Sequence, residues 1–285
     1  MTTEEFVSIM IKWGNFKARC KSDFPKTVEA KKNKELEDKH KGKRCFIIGN
    51  GPSIKRQNLN LLENEIVFVV NGFYRYEGYQ KIKPNYYVFA DAVFFQEDTG
   101  PMALTGFEKI WGYSNKPTII VPFGTQKMIH NVYGWDKKTS IYYYDGSMSF
   151  EDGYVKKWDM SKTVPSPQNV VQVAMLTATY MGFKEIYLLG IEQTDIISCI
   201  EGYMKDGEIL RYAYEVDDNL RKVRCKNKLV LSLEEDLKGY ARIFHLYKEI
   251  YHFCAAQGID VYNCTPETLV KGIPKKNYEE IFRNE

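Results

Sequence analysis

The feature that most constrains the fold is a regular alternation of strand-like and helix-like segments from about residue 43 onward. Several apolar runs are continuous and end in a small or polar residue, as buried parallel strands do. In chain order these runs are RCFIIGN, EIVFVVN, NYYVFAD, PTIIVPF, SIYYYD, EIYLLGI and DVYNCT. Helical periodicity is clearest in PQNVVQVAMLTATYMGF and EEDLKGYARIFHLYKEIYHFCAAQG, where Gly182 and Gly258 stand at the C-terminal cap positions. The alternation predicts an α/β fold with a single Rossmann-like, doubly wound parallel sheet.

Two long stretches interrupt this rhythm. Residues 146–166 have no clean period and contain Gly, Ser and Pro, and residues 193–232 are long and mixed, with YMKDGEILRYAYE resembling a hairpin around Asp206-Gly207. Irregular insertions of this length are usually lids or binding loops, and occasionally oligomer contacts. We therefore expect an N-terminal helical extension over residues 1–42 and one ligand-binding α/β domain over residues 43–285 that carries two lid insertions.

Composition excludes several functional classes. The net charge is +3 with 27% charged residues, so no strong field indicates nucleic-acid binding. None of the six cysteines forms a C-x-x-C pair, which favours reduced thiols in a cytoplasmic protein over a zinc site. No signal peptide opens the chain and no apolar run reaches about 18 residues, so we expect no membrane span. A helix over EEFVSIMIKWGNFKARCK can rest on the inner face of a membrane, contact a partner subunit, or pack on the domain.

The turn GNGPS follows the first predicted strand and has the outline of a phosphate site. Gly49 and Gly51 allow close backbone approach, and Pro52 suits the first position of a helix. Ser53 then lies in the first turn, where free N–H groups attract an anion, and the side chain of Asn50 both donates and accepts. The stretch lacks the lysine placement of a P-loop and the third glycine of a dinucleotide loop. It is either an unusual nucleotide loop or a plain strand–helix turn.

Polar residues also end the next two strands. The second strand ends in Asn71 and the third in Asp91. Ligands of open parallel sheets bind at the carboxyl ends of the strands. If the first three strands are neighbours, Asn50, Asn71 and Asp91 converge on one crevice, although an isolated Asn at a strand end is usually a turn residue.

Two later segments aim at the same edge. Gln168 and Asn169 begin the helix PQNVVQVAM, and helix capping alone can explain Asn169. The strand EIYLLGI then leaves the sheet through Gly190 and Glu192. A carboxylate at that position can accept hydrogen bonds from a ribose or sugar hydroxyl, or it can be an ordinary loop acid.

Histidines are scarce, and His245 is the best candidate for a general base. It combines a long predicted helix with a position after the second insertion. A single histidine on a helix is more often structural. No metal-ligand cluster, nucleophile elbow or D-x-D pair appears in the sequence, so we expect neither a metal site nor a cofactor.

The segments IIGNGPSIK, VVNGFY, YYVFAD, NVVQVAMLTATYMGFKEIYLLGIE and IDVYNCTP together resemble the bacterial sialyltransferase-like superfamily over roughly residues 43–282. These enzymes transfer sialic acid from a CMP-activated donor without a metal and have a GT-A-like single Rossmann domain. Proteins similar to 6-hydroxymethylpterin diphosphokinase share the core.

The resemblance implies a set of donor-binding positions. It matches Asn50, Gly51, Ser53 and Asn71 to nucleotide contacts, and Asp91 and Asn169 stand in the register of two further site positions. Together with the loop and strand-end residues considered above, the expected donor-binding set is Gly49, Asn50, Gly51, Ser53, Asn71, Asp91, Gln168, Asn169, Gly190 and Glu192. Two departures stand out. Thr194 occupies the first position of the family's lid tyrosines, so Tyr203, Tyr212 or Tyr214 would have to contact the phosphate, and Ala241 takes the register of the catalytic histidine, with His245 nearby.

We therefore expect an inverting glycosyltransferase that uses a CMP-activated sialic or related nonulosonic acid as substrate and a surface glycan as acceptor. Peripheral membrane contact and a homo-oligomer remain open. The alternatives are a Mg-ATP-dependent diphosphokinase of the hydroxymethylpterin type, with Asp91, Glu97 and Asp98 as its only nearby carboxylates, and a non-catalytic nucleotide-binding assembly protein.

Overall fold

The computed structural model describes residues 2–149, 158–204, 212–215 and 232–283. Its centre is an eight-stranded parallel sheet in the order β6-β5-β4-β3-β2-β1-β7-β8. The strands are β1 (Arg44–Ile48), β2 (Val67–Val70), β3 (Tyr86–Val88), β4 (Thr118–Pro122), β5 (Ile141–Met148), β6 (Thr163–Pro165), β7 (Glu185–Leu189) and β8 (Asp260–Asn263). The predicted α/β class and doubly wound parallel sheet are confirmed.

Helical segments of very different lengths connect the strands. The α-helices are α1 (Thr3–Lys21), α2 (Val28–Lys32), α3 (Tyr79–Ile82), α4 (Gly100–Ala103), α5 (Val170–Tyr180), α6 (Asp195–Met204) and α7 (Leu233–Ala256). Single 3₁₀ turns span Phe24–Lys26, Asn33–Leu36, Pro52–Arg56, Leu59–Leu62, Asn71–Arg75, Ala92–Phe95, Phe107–Gly112, Trp135–Lys137 and Glu279–Phe282, and a π turn spans Met128–Tyr133.

Both faces of the sheet are buried, which explains the continuous apolar runs. Along β1, Phe46 and Ile48 face one core and Cys45 and Ile47 face the other, because successive side chains of a strand alternate. The long helices α5 and α7 cover the second core, whereas short 3₁₀ segments cover the first. The predicted caps are present: Gly182 and Gly258 have φ of 79° and 67°, a conformation that glycine adopts without strain.

The order of the strands sets the position of the ligand crevice. The chain builds outward from β1 to β6, then returns through α5 to place β7 on the other side of β1. The connections therefore diverge between β1 and β7, and open α/β sheets bind ligands at such a switch point. The first three strands are neighbours, as the convergence of their polar ends requires.

Three local outcomes differ from the expectations. The GNGPS turn leads into a 3₁₀ segment instead of an α-helix, and this segment ends at Gln57, which is extended and donates its Nε2 to the Cys264 carbonyl at 2.9 Å. Part of the 146–166 insertion joins the sheet, since β5 continues to Met148 and β6 pairs with it. The second insertion begins with a helix that ends at Met204. The turn of the hairpin expected around Asp206-Gly207 falls within residues 205–211, which lie outside the described residues.

The N-terminal 42 residues contribute to the same cores. Phe24, Ala30 and Leu36 are fully buried there. Asn33 donates from Nδ2 to the carbonyls of Tyr143 at 2.5 Å and Met160 at 2.6 Å. The helix α1 lies against β5, where Asn15 exchanges hydrogen bonds with the backbone of Ser149 at 2.8 and 2.9 Å.

Candidate functional site

A cavity of about 630 Å³ lies at the carboxyl edge of the sheet. Its walls come from residues at or after the ends of β2, β3 and β4, from the second half of β5, from the segment between β6 and α5, from the loop after β7, and from α7. We call it the strand-end cavity. It has the size of a small-molecule site. Of the residues expected to bind the donor, four line it: Asn71, Asp91, Gln168 and Asn169.

Asn71 and Asp91 are held in place by local backbone contacts. Asn71 has a φ of 44°, its Oδ1 accepts from the Ala90 N–H at 3.4 Å, and its carbonyl accepts from the Tyr87 hydroxyl at 2.6 Å. Asp91 is exposed and caps a 3₁₀ turn by accepting from the Val93 N–H at 3.1 Å. Both side chains thus have a structural role as well as a place on the cavity wall.

The start of α5 forms the opposite wall. Asn169 is the N-cap and accepts from the Gln172 N–H at 3.0 Å, while its Nδ2 donates to Tyr247 Oη at 3.0 Å and to Gln193 Oε1 at 3.2 Å. Gln168 is exposed, and its N–H donates to Gln172 Oε1 at 2.9 Å. The positive end of the α5 dipole therefore points at the cavity.

The charged side chains of the cavity wall are acidic. They are Asp91, Asp145 and Asp195, and no Lys or Arg is among the described residues that line the cavity. Asp145 Oδ2 accepts from Ser22 at 2.7 Å and from Thr163 at 2.8 Å. Carboxylates and amides bind hydroxyl groups well, whereas an unpaired phosphate is repelled by them unless a cation or helix dipole compensates.

Aromatic surface completes the wall. Phe123 and Tyr144 lie on it after β4 and within β5. Burial raises the pKa of the Tyr144 phenol, and burial also raises the pKa of Tyr247, which contacts Asn169. Both tyrosines are therefore neutral hydroxyl groups at physiological pH. A ligand here meets one apolar side and one side rich in hydrogen-bonding groups.

The remaining expected donor-binding residues form a second group at the switch point between β1 and β7. We call this group, Gly49–Ser53 together with Gly190 and Glu192, the closed turn. The Gly51 N–H donates to the Gly190 carbonyl at 3.0 Å, and Asn50 Nδ2 donates to the Val70 carbonyl at 3.3 Å. The closed turn is next to the strand-end cavity along the edge, but its residues do not line that cavity.

A carboxylate of the protein occupies the position where an anion was expected. Glu192, 6% exposed, accepts from the Ser53 N–H at 2.6 Å. Glu192 Oε2, Ser53 Oγ and Asn50 Oδ1 are buried without a hydrogen-bond partner. The closed turn thus resembles an anion site that is filled from within, and it holds three buried polar atoms that a ligand or water can satisfy.

The three tyrosines expected on the lid lie in different places. Tyr212 and Tyr214 stack at 5.2 Å, and the segment between them is tied to the closed turn by the Ala213 N–H, which donates to the Asn50 carbonyl at 2.9 Å. Tyr203 instead donates its hydroxyl to Asp236 at 2.8 Å, a hydrogen bond that raises its pKa to about 12. Tyr212 and Tyr214 therefore lie beside the closed turn, whereas Tyr203 contacts α7.

His245 is exposed on α7 and does not line the strand-end cavity. The same helix reaches the site through Ile243, which lines it, and through Tyr247. A catalytic role of His245 stays a prediction.

Sequence reasoning missed several cavity residues that a signal could have found. Asp145 ends the predicted strand SIYYYD, so the rule applied to Asn71 and Asp91 applied to it as well. Asp195 and Gln193 follow β7 directly, where Glu192 had already been considered. Tyr247 had no such signal in the sequence, because the packing of α7 against α5 decides which residues of α7 face the site.

The described residues contain neither a metal-binding group of side chains nor a membrane-spanning helix. In that part of the chain no three His, Cys, Asp or Glu side chains are grouped so that they could hold a metal ion. The described helices also include none that is long and apolar enough to cross a membrane.

The fold and the site define a doubly wound α/β protein with a ligand cavity beside the switch point of its sheet. The family model described as 6-hydroxymethylpterin diphosphokinase MptE-like matches residues 20–195, more than half of the chain. The chain belongs to this MptE-like family, which confirms the relationship inferred from its motifs.

Among solved structures, the chain is similar to the sialyltransferase CstII from Campylobacter jejuni in complex with the substrate analogue CMP-3FNeuAc, at 19% identity and a TM-score of 0.42. A second CstII structure, with cytidine-5'-monophosphate, is 18% identical with a TM-score of 0.41. In both comparisons the match covers 82% of this chain and 85% of the other. No curated protein matches the chain.

Proposed function

We propose that the chain is a glycosyltransferase that uses a nucleotide-activated sugar, of the CMP-sialic acid class, and a hydroxyl of a glycan as acceptor. The observation that carries this proposal is the chemistry of the strand-end cavity, which is lined by carboxylates and amides and has aromatic surface on one side. Such walls bind ribose and sugar hydroxyls by many hydrogen bonds. The proposal of a CMP-activated donor rests on the resemblance of the segments IIGNGPSIK and MGFKEIYLLGIE to the bacterial sialyltransferase-like superfamily.

The donor phosphate needs positive potential, and the described cavity wall supplies it without a cation side chain. The start of α5 directs its dipole at the cavity through Asn169 and Val170, whereas the Gln168 N–H already donates to Gln172 Oε1. Hydroxyl groups of Tyr212 and Tyr214, at the neighbouring closed turn, are the candidates to bind the phosphate as it leaves. The bond from the sugar to the phosphate breaks as the acceptor oxygen attacks the opposite face, which inverts the anomeric carbon.

The acceptor hydroxyl must lose its proton to a base. Two of the three carboxylates on the cavity wall already accept hydrogen bonds from other side chains. Asp145 accepts from the hydroxyls of Ser22 and Thr163, and Asp195 accepts from Gln193 Nε2 at 2.8 Å. Asp91 is exposed on the wall and only caps a turn, so it is a better candidate base within the cavity. His245 is the alternative base if α7 presents it to a bound acceptor.

A second candidate function is supported by the family description and by the same carboxylates. A diphosphokinase of the 6-hydroxymethylpterin type moves a diphosphate from ATP to a hydroxymethyl group. Mg²⁺ bound to a nucleotide needs only one or two protein carboxylates, which Asp91, Asp145 or Asp195 could provide. Glu97, considered from the sequence, instead pairs with Lys127.

Thermal-shift measurements with CMP, UDP, GDP and ATP, each with EDTA or with Mg²⁺, separate the two functions. A ligand at about 100 times its Kd adds roughly 2.7 kcal/mol to stability, which raises Tm by several degrees. We expect CMP to raise Tm equally in EDTA and in Mg²⁺. A shift that requires both ATP and Mg²⁺ would sink the glycosyltransferase in favour of the diphosphokinase.

Turnover then tests the reaction itself. Release of CMP from CMP-sialic acid in the presence of a glycan acceptor should continue in EDTA and fall by more than about 100-fold in Asp91→Asn if Asp91 is the base. His245→Ala is the matched variant: a comparable loss there, with Asp91→Asn active, would assign the proton transfer to His245. Binding of CMP without turnover of any donor would indicate the non-catalytic alternative.

A further inference from the structure

The outer face of α1 exposes an unusual amount of apolar surface. Six large side chains on this helix are between 48% and 56% exposed, and they are Phe6, Val7, Ile9, Met10, Trp13 and Phe16. Single exposed apolar residues are common on protein surfaces, but a contiguous patch marks an interaction site.

The two sides of α1 are cleanly separated. The positions that face the domain are Ser8, Ile11, Asn15 and Ala18, which follow the three- and four-residue spacing of one helix face and are buried or half-buried. Asn15, 2% exposed, holds this side to the backbone of Ser149. The domain therefore fixes the orientation of α1 and directs its apolar side outward.

Charge completes the pattern. The first turn of the helix contains the acidic residues Glu4 and Glu5, and from Phe6 to Lys21 it contains four basic side chains, Lys12, Lys17, Arg19 and Lys21, and no acidic one. All four are exposed, although Arg19 Nε also donates to Met148 Sδ of the domain at 3.3 Å, and Lys17 Nζ lies 5.0 Å from the centre of the Trp13 ring. An aromatic and aliphatic face bordered by Lys and Arg is typical of helices that lie in the headgroup region of a bilayer.

We propose that α1 is an interfacial helix that docks the protein on an anionic membrane surface. Phe6, Ile9, Met10, Trp13 and Phe16 enter the boundary between headgroups and acyl chains, and the basic side chains bind lipid phosphates. A second copy of this chain is the alternative occupant of this face, and light scattering separates it from the membrane in the test below.

Docking by α1 places the membrane next to the strand-end cavity. Ser22 ends α1 and donates its hydroxyl to Asp145 Oδ2 at 2.7 Å, and Asp145 lines the cavity. If the proposed glycosyltransferase function holds, on which this step alone rests, the acceptor that fits this arrangement is a glycan attached to a membrane lipid.

Flotation with vesicles tests the docking without any turnover. We expect the full chain to float with phosphatidylcholine vesicles that contain phosphatidylglycerol, and much less with phosphatidylcholine alone. Trp13→Glu combined with Phe16→Glu should lower the bound fraction by at least about tenfold, since each substitution removes buried apolar area and adds a charge repelled by the lipid. Val28→Glu is the matched control, because Val28 is 76% exposed but lies outside α1.

A Trp-specific readout strengthens the result. Of the four tryptophans, Trp13 is 51% exposed, Trp111 is partly buried against the first core, and Trp135 and Trp158 are 3% and 4% exposed. Lipids brominated on their acyl chains should therefore quench mainly Trp13, and Trp13→Phe should lose that quenching. Failure of the wild-type chain to float, or equal flotation of the double variant, would overturn the proposal. A dimer in light scattering that the double variant dissociates, without vesicle binding, would assign the face to a second copy. Flotation together with a failed CMP assay would leave the docking intact and reject only the enzyme function.

Discussion

The closed turn and the strand-end cavity lie side by side on the same edge of the same sheet, yet their polar groups are used in opposite ways. In the closed turn, the Ser53 N–H is bonded to Glu192, and the first glycines contact the backbone after β7. In the strand-end cavity, Asp91 and Gln168 face open space and Asn169 lines it. The two groups thus differ in how far the protein's own side chains occupy the hydrogen-bonding positions at the sheet edge.

The difference has a physical origin. β1 and β7 are adjacent, and their exits run so close that the two loops hydrogen-bond to each other, although Glu192 Oε2, Ser53 Oγ and Asn50 Oδ1 stay without a partner. The residues at the ends of β2 to β5 also bond to one another, but the start of α5 stands across from them with space between. We infer that the closed turn mainly holds the sheet edge in shape, while the cavity binds ligand. The following substitutions test this division.

Gly49→Ala should have the largest effect, about 3 kcal/mol of lost unfolding free energy. A Cβ at this position would lie 2.5 Å from the Gly190 carbonyl oxygen and 2.6 Å from Ile191 Cδ1. That oxygen cannot move freely because it accepts from the Gly51 N–H. Urea denaturation measures the change. Gly112→Ala is the control, since nothing lies within 4 Å of its added Cβ, and similar losses in both variants would refute the tight contact.

Glu192→Ala should cost about 2 kcal/mol, because the buried Ser53 N–H loses its acceptor. Glu192→Gln keeps an acceptor oxygen of the same reach and should cost clearly less. Chemical denaturation of both variants in parallel gives the comparison. Wild-type stability of Glu192→Ala would mean that the closed turn does not depend on its internal carboxylate.

Asn169→Ala should cost about 1 kcal/mol, the usual value of a lost helix N-cap. Asn169→Ser keeps a side-chain oxygen for the Gln172 N–H and should be more stable than the Ala variant. Both remove the Nδ2 donor to Tyr247 and Gln193, so both should bind CMP more weakly than the wild type. Calorimetric titration and thermal unfolding together separate the two effects; full CMP affinity in both variants would remove Asn169 from the site.

Gln168→Ala should have the smallest effect on folding, within about 0.5 kcal/mol, because the side chain is exposed. Its CMP affinity should nevertheless fall by about five- to tenfold, the value of one hydrogen bond. This combination of unchanged Tm and weaker binding is what a ligand-facing residue predicts. Unchanged affinity would place the nucleotide elsewhere on the edge.

Much of the fold could be predicted because each strand carries its own signal. Buried parallel strands such as Phe46–Ile48 are apolar on both faces, and glycines such as Gly182 mark where helices end. β6 had no such signal. It spans only Thr163–Pro165, and it forms because β5 continues far enough to pair with it across an irregular register.

The candidate site was predictable to a lesser degree. The rule that strand ends converge placed Asn71 and Asp91 correctly on one wall, and it would also have placed Asp145. It could not separate these residues from Asn50 and Ser53, which lie at the same edge but do not line the cavity.

By itself, the sequence determined the class of fold, the strand ends at which polar groups gather, and the family of the chain, because these follow from local periodicity and short motifs. Only the tertiary structure decided which of those groups remain available. Glu192 and Ser53 are 139 residues apart and meet because β7 returns beside β1. The packing of α1 on β5 likewise decided that Asn15 faces inward and Trp13 outward. Both outcomes depend on long-range packing, which no local pattern encodes.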